Sequence, residues 1–80
     1  GGWHPMKITV KLIGPFIYAA AFSEKEINIP EGSTIESLLS LVKLAESRPK
    51  VITRNGKAIA PGETLEDGDR VVISPLYSGG

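Results

Sequence analysis

One segment of this 80-residue chain carries helical periodicity. Ile35, Leu38, Leu39, Val42 and Ala45 recur at three- and four-residue spacing and so lie on one stripe of a helix. Nearly everything else alternates at period two or reads as turn. A lone amphipathic helix must bury its stripe on one face of one sheet, which rules out a helical bundle and a repeating βαβ layout. The pattern predicts an α+β domain, with a sheet of four to five strands and one main helix on one face. Leu41 flanks the stripe. Leu44 falls nearly opposite it, at a position expected to be exposed. Ser33-Thr34-Ile35-Glu36 reads as a capping box, with the Ser33 hydroxyl accepting from the Glu36 amide. Pro49 disfavours helix at Arg48, so the helix is expected to end near Glu46.

The strands follow from alternation and from breakers. Met6, Ile8, Val10 and Leu12 share one face of a first strand, with Lys7, Thr9 and Lys11 on the other. Gly14-Pro15 ends it, and Phe16–Ala21 reads as a small apolar loop or a turn of helix. A second strand spans Phe22–Ile29, with Ile27 and Ile29 inward, and Pro30-Glu31-Gly32 stops it. Val51–Arg54 and Lys57–Ile59 flank Asn55-Gly56, the signature of a type I′ hairpin turn with φ > 0 at both positions. Leu65 is the single apolar anchor of a loop that leads through Asp67-Gly68-Asp69 into a last strand, Arg70–Ser74. The expected core is Ile8, Val10, Leu12, Ile27, Ile29, Ile35, Leu38, Leu39, Val42, Leu65, Val71 and Ile73.

Composition narrows the function classes. Nine Lys and Arg balance nine Asp and Glu, so net charge gives no reason to expect nucleic acid or an anionic membrane as partner. The absence of cysteine removes disulfides, thiolate zinc, iron–sulfur clusters and a cysteine nucleophile. No run approaches the roughly 20 apolar residues of a membrane span, no signal-peptide pattern is present, and a cytoplasmic location is expected. Gly1–Pro5 reads as an expression-tag remnant before a domain at residues 6–74. The only histidine, His4, and the only tryptophan, Trp3, fall in that remnant. The domain proper then lacks the usual general base. No phosphate-binding G-x-x-x-x-G-K-[ST] occurs, so no cofactor and no metal is expected on this chain. Asp67-Gly68-Asp69 reads as a turn with Gly68 at positive φ and the acids bonding local amides.

Residues 75–80 read as a flexible arm ending in Ser78-Gly79-Gly80. Glycine has no Cβ and adopts almost any φ/ψ, so such an arm can lie extended in a channel too narrow for side chains. From Pro75 to Gly80 it reaches roughly 20 Å at about 3.3–3.6 Å per residue. The arm is expected to be poorly ordered when unbound.

Taken together, these landmarks resemble the β-grasp, or ubiquitin-like, fold. Within it the chain is similar to the sulfur carriers, namely the small subunit of molybdopterin synthase and the thiamin-biosynthesis sulfur carrier. The residues that carry the likeness are Lys7–Leu12, Ile29–Ile35 with Leu38-Leu39, Asn55-Gly56, Leu65–Val71, Pro75 and Ser78-Gly79-Gly80. The resemblance implies a mixed sheet in which the last strand pairs in parallel with the first. It also implies that the chain is not an enzyme but a carrier acted on by others. An E1-like adenylyltransferase would use ATP and magnesium to adenylate Gly80, with Gly79 as its required neighbour, and sulfur would replace AMP to leave a thiocarboxylate. The sulfur would then pass to the large subunit of molybdopterin synthase or to thiazole synthase. Gly14-Pro15-Phe16, the alanine-rich loop and Pro75 resemble the molybdopterin branch, whereas the short Ser47–Lys50 connection resembles the thiamin carrier. A ubiquitin-like protein modifier is the further alternative. Partner contacts are expected at Pro75, Leu76, Tyr77 and Ser78 of the arm and at Arg70 and Val72 on the sheet. Lys7, Lys11, Arg54 and Ile13 are expected on the same outer face, which is either a docking surface or an ordinary solvated one.

Overall fold

The computed structural model describes residues 4–45 and 48–76. Alternation of apolar and polar residues builds β1 (Pro5–Leu12), in which Met6, Ile8, Val10 and Leu12 are buried. The strand starts one residue inside the segment read as a remnant, and Pro5 pairs with Pro30 of β2 (Glu24–Pro30) in an antiparallel ladder. Between them, the apolar stretch after Gly14-Pro15 forms α1 (Phe16–Ala20), closed by Ala21 in the left-handed region at φ 67°. Phe16, absent from the expected core, is 2% exposed and belongs to the core cluster. The main helix, α2 (Ile35–Leu41), is followed by β3 (Lys50–Arg54), β4 (Lys57–Ala58) and β5 (Arg70–Pro75).

Strand order across the sheet is β2-β1-β5-β3-β4. The last strand therefore lies in the middle, parallel to β1 and antiparallel to β3. Asn55 (φ 51°) and Gly56 (φ 87°) both take positive φ, as a type I′ turn requires. The result is the expected α+β, mixed five-stranded sheet, with two helices rather than one. Ile52 and Leu44 join the core, while Ile27 is only partly buried because it sits on β2, the sheet's edge.

Both ends of α2 depart from the sequence reading. The N-cap is Thr34: its hydroxyl accepts from the Ser37 amide at 3.2 Å, and the Ser37 hydroxyl oxygen accepts from the Thr34 amide at 2.8 Å. Ser33 is displaced because its own carbonyl accepts from Leu65 N–H, and the Glu36 amide it would have capped donates to Pro61 O instead. At the other end the helix stops at Leu41, five residues before Glu46. Lys43 turns left-handed (φ 66°), its N–H donates to Ser40 O, and the Leu44 N–H donates back to Leu39 O. Those two bonds define a Schellman motif, in which the second residue past the cap packs on the helix's last turn. The turn swings Leu44 inward to 0% exposure and leaves Ala45 outside, the reverse of the helical projection.

The Asp67-Gly68-Asp69 loop closes the opposite end of the sheet. Gly68 has the expected positive φ of 86°. Asp67 accepts from the amide of Lys7, sixty residues away, and not from a local one. Asp69, 5% exposed, accepts from Asn55 Nδ2 at 3.0 Å and from the Glu66 amide at 2.8 Å, tying the hairpin turn to the loop.

Candidate functional site: the open sheet face and the chain exit

The helices cover one face of the sheet. The inward set on β5 is Val71, Ile73 and Pro75, so Arg70, Val72 and Ser74 point to the other face. The ladders bring Thr9 and Lys11 of β1 beside Arg70 and Val72. They bring Thr53 and Val51 of β3 beside Val72 and Ser74. Val72, half-buried between Lys11 and Thr53, is the centre of this face. Ile13 (39% exposed), Val51 (39%) and Leu76 (58%) lie around the same end of β5, and together they account for three of the five large exposed apolar residues among those described. A cluster of this kind beside charged neighbours is the composition of a surface that a partner covers.

Arg54 does not join it. Two residues along from it, Ile52 is buried, so Arg54 belongs to the helix side of the sheet. There its guanidinium donates to Thr64 O at 2.7 Å and stands 3.8 Å from the Asp69 carboxylate, bracing the loop. Alternation about Ile52 carries this information in the sequence, and it also places Val51 and Thr53 on the outer face, beyond the residues expected there. Arg70 is on the outer face, but its guanidinium reaches across β1 to Glu24 at 3.0 Å. Both side chains are about half exposed, so the pair contributes about 0–1 kcal/mol. It holds Arg70 flat against the sheet.

Pro75 and Leu76 are the arm residues within the described chain. Pro75 is the last residue of β5, buried and paired with Lys50, and the Leu76 amide donates to Pro49 O at 3.1 Å. The domain therefore extends past the expected boundary at Ser74, and neither residue is free of the sheet. Pro75, expected as a partner contact, is buried on the core side of β5 with Val71 and Ile73. Tyr77, Ser78, Gly79 and Gly80 lie outside the described residues, and with them the expectation of a poorly ordered arm. The path to them starts at the C-terminal end of the central strand, at the margin of the Ile13–Val51–Val72–Leu76 cluster. Among the described residues no three His, Asp or Glu side chains gather as a metal ion would require. No helix there is long and apolar enough to cross a membrane.

The family model described as ThiS family matches residues 10–80. The chain belongs to the ThiS family. Solved structures agree on the fold. A putative molybdopterin converting factor subunit 1 from Pyrococcus furiosus is 27% identical, with a TM-score of 0.78 over 90% of this chain and 99% of that one. Small archaeal modifier protein 1 from Methanosarcina acetivorans is 26% identical, with a TM-score of 0.70 over 96% of this chain and 99% of that one. A complex of subunits 1 and 2 of the molybdopterin-converting factor from Helicobacter pylori contains a chain 21% identical, with a TM-score of 0.64 over 94% of this chain and 100% of that one. The ThiS family thus shares its ubiquitin-like β-grasp with carriers and modifiers alike.

Proposed function

We propose that this ThiS family chain is a sulfur carrier, not itself an enzyme, whose Gly80 carboxylate is the reactive group. The observation that carries the reading is the family match running through to Gly80, on a chain that leaves the centre of the sheet beside an open apolar cluster. An activating partner docks on Val72 and its neighbours and draws the glycine arm into its own site. There the carboxylate oxygen attacks the α-phosphorus of ATP, releasing pyrophosphate and forming an acyl-adenylate, with magnesium held by the partner. A hydrosulfide-level sulfur then attacks the acyl carbon and expels AMP, leaving the thiocarboxylate. The carrier supplies reach and recognition, and the partner supplies the chemistry. The receiving enzyme is the large subunit of a molybdopterin-forming complex. The Pyrococcus likeness and the subunit 1–subunit 2 assembly of the Helicobacter protein support this branch, ahead of thiazole synthesis.

The test is intact-mass spectrometry after incubation with an E1-like adenylyltransferase, ATP, magnesium and hydrosulfide. The mass should rise by the difference between one sulfur and one oxygen atom. Deleting Gly80 withdraws the tip by about 3.5 Å and should abolish the change. Gly79→Val narrows the backbone choices and widens the arm, with the same result. Conversion of the Gly80 deletion at the wild-type rate would sink the reading. The likeness to the Methanosarcina modifier favours one alternative, attachment of Gly80 to lysines of other proteins, and high-mass adducts in the same assay would reveal it.

A further inference from the structure

The two edges of this sheet are unequal. On one side the outermost strand is β4, only Lys57–Ala58. On the other it is β2, seven residues long and without a bulge in its ladder to β1. In β1, the odd-numbered residues turn their backbone groups toward β5, since Thr9 N–H donates to Asp69 O and Ile13 N–H to Ile73 O. The even-numbered ones therefore face β2, as the Leu12 N–H bond to Ser23 O shows. Their register partners Lys25, Ile27 and Ile29 bond back to β1. Glu24, Glu26 and Asn28 are left with N–H and C=O directed outward, and no strand among the described residues pairs with them.

Beside this edge, on the helix-covered face, runs a groove of about 500 Å³ between β2, α1 and the end of α2. Ile27, Phe22, Leu41 and Val42 give it an apolar floor, and Leu41 is 57% exposed there. Its charged lining residues are Lys25 and Lys43, with no acid among them.

We propose that the β2 edge and this groove form a second docking site, distinct from the outer face, for an extended peptide segment of a partner protein with alternating aliphatic residues and an acid. The added strand bonds to the backbone of Glu24, Glu26 and Asn28. Its alternate side chains enter the groove, aliphatic ones against Ile27 and Leu41 and the acid near Lys25 and Lys43. Main-chain bonds supply affinity and alternate side chains supply specificity in this mode of recognition. Charge selects the occupant. A second copy pairing through its own β2 would bring Lys25 and Ile27 to a groove already carrying two lysines, whereas an acid-bearing strand meets complementary charge. The five residues from Glu24 to Asn28 span about 17 Å at roughly 3.3 Å per residue, so a pentapeptide suffices.

The experiment titrates ¹⁵N-labelled full-length protein with the capped peptide Ile-Lys-Val-Thr-Asp and follows amide signals. The expected result is saturable shifts at Glu24, Glu26, Asn28, Leu41 and Lys43, with Val72 and Val51 unmoved. N-methylation of the peptide at Lys and Thr, whose amides face β2 in an added strand running antiparallel to it, should weaken binding at least tenfold. The double change Lys25→Glu, Lys43→Glu should weaken it at least fivefold while leaving the remaining spectrum in place. Glu26→Pro removes an outward donor that makes no bond to β1 and should weaken it similarly; a lost native spectrum for that variant leaves the charge pair and the methylated peptide to decide. Three results overturn the proposal: no saturable shift at millimolar peptide, shifts centred on Val72, or β2 signals that broaden with protein concentration and ignore the peptide, which would mark pairing of two copies. None of these readouts depends on Gly80 chemistry.

Discussion

Leu44→Ala separates two ways of placing one side chain. A continued helix would expose Leu44, and truncation there would cost less than about 0.5 kcal/mol, as at ordinary surface sites. The Schellman turn instead leaves it 0% exposed against the core. Truncating a buried leucine removes roughly three carbons' worth of transfer free energy, about 2.4 kcal/mol at about 0.8 kcal/mol per methylene. The unfilled cavity adds to this, and such changes span about 2–5 kcal/mol. A chain of this length has about 4–12 kcal/mol of stability in total. The substitution should therefore remove about a fifth or more of it. Urea unfolding followed by far-UV circular dichroism measures the loss. With a slope near 1 kcal/mol/M for a domain this small, the midpoint should fall by about 2–5 M at unchanged slope. Leu41→Ala, at a residue 57% exposed, is the matched control and should shift the midpoint by less than about 0.5 M. A shift for Leu44→Ala no larger than the control's would refute the turn geometry and restore the longer helix.

Lys43→Gly should stabilise the domain by about 0.5–1 kcal/mol, because Lys43 holds a left-handed conformation that costs an L-residue roughly 1–2 kcal/mol and glycine little; thermal melts check the sign. Asp69→Ala orphans Asn55 Nδ2 and the Glu66 amide and should cost about 2–4 kcal/mol, given about 1.5–3 kcal/mol for each bond to a charged acceptor and incomplete additivity. Val72→Asp should leave the fold intact by circular dichroism and reduce adenylation by an E1-like partner at least tenfold; an unchanged rate would move the docking surface elsewhere.

How legible the chain was depended on whether a residue's neighbours along the sequence determined its place. Met6, Ile8, Val10 and Leu12 declared their face by alternation, and Asn55-Gly56 its turn by backbone preference alone. Ser33 and Thr34 are both competent caps. The choice between them was made by Pro61, Glu63 and Leu65, whose backbone groups bond to Glu36, Ile35 and Ser33 from a loop some thirty residues away. The end of α2 is hidden in the sequence for a related reason. A Schellman turn normally announces itself by glycine, and here lysine occupies the left-handed position. On the candidate site, Val72 and Arg70 were placed on the outer face by alternation. Arg54's side is legible from Ile52 two positions before it, whereas Pro75 looks like a stop in the sequence because proline usually ends a strand, yet it closes β5. The neutral composition gave no sign of the lysine-rimmed groove, since Lys25 and Lys43 meet only when β2 and the end of α2 come together.

The placement of β5 bears on how the domain carries load. A pull on Leu76 along the strand axis acts on the ladder to β1 and the ladder to β3 at once, four and five register pairs respectively. Both must slide together, whereas a strand at the sheet's margin would load a single ladder. Force applied through the residues beyond Leu76, as when a tail is drawn into or out of a tight channel, thus meets the stiffest direction of the sheet.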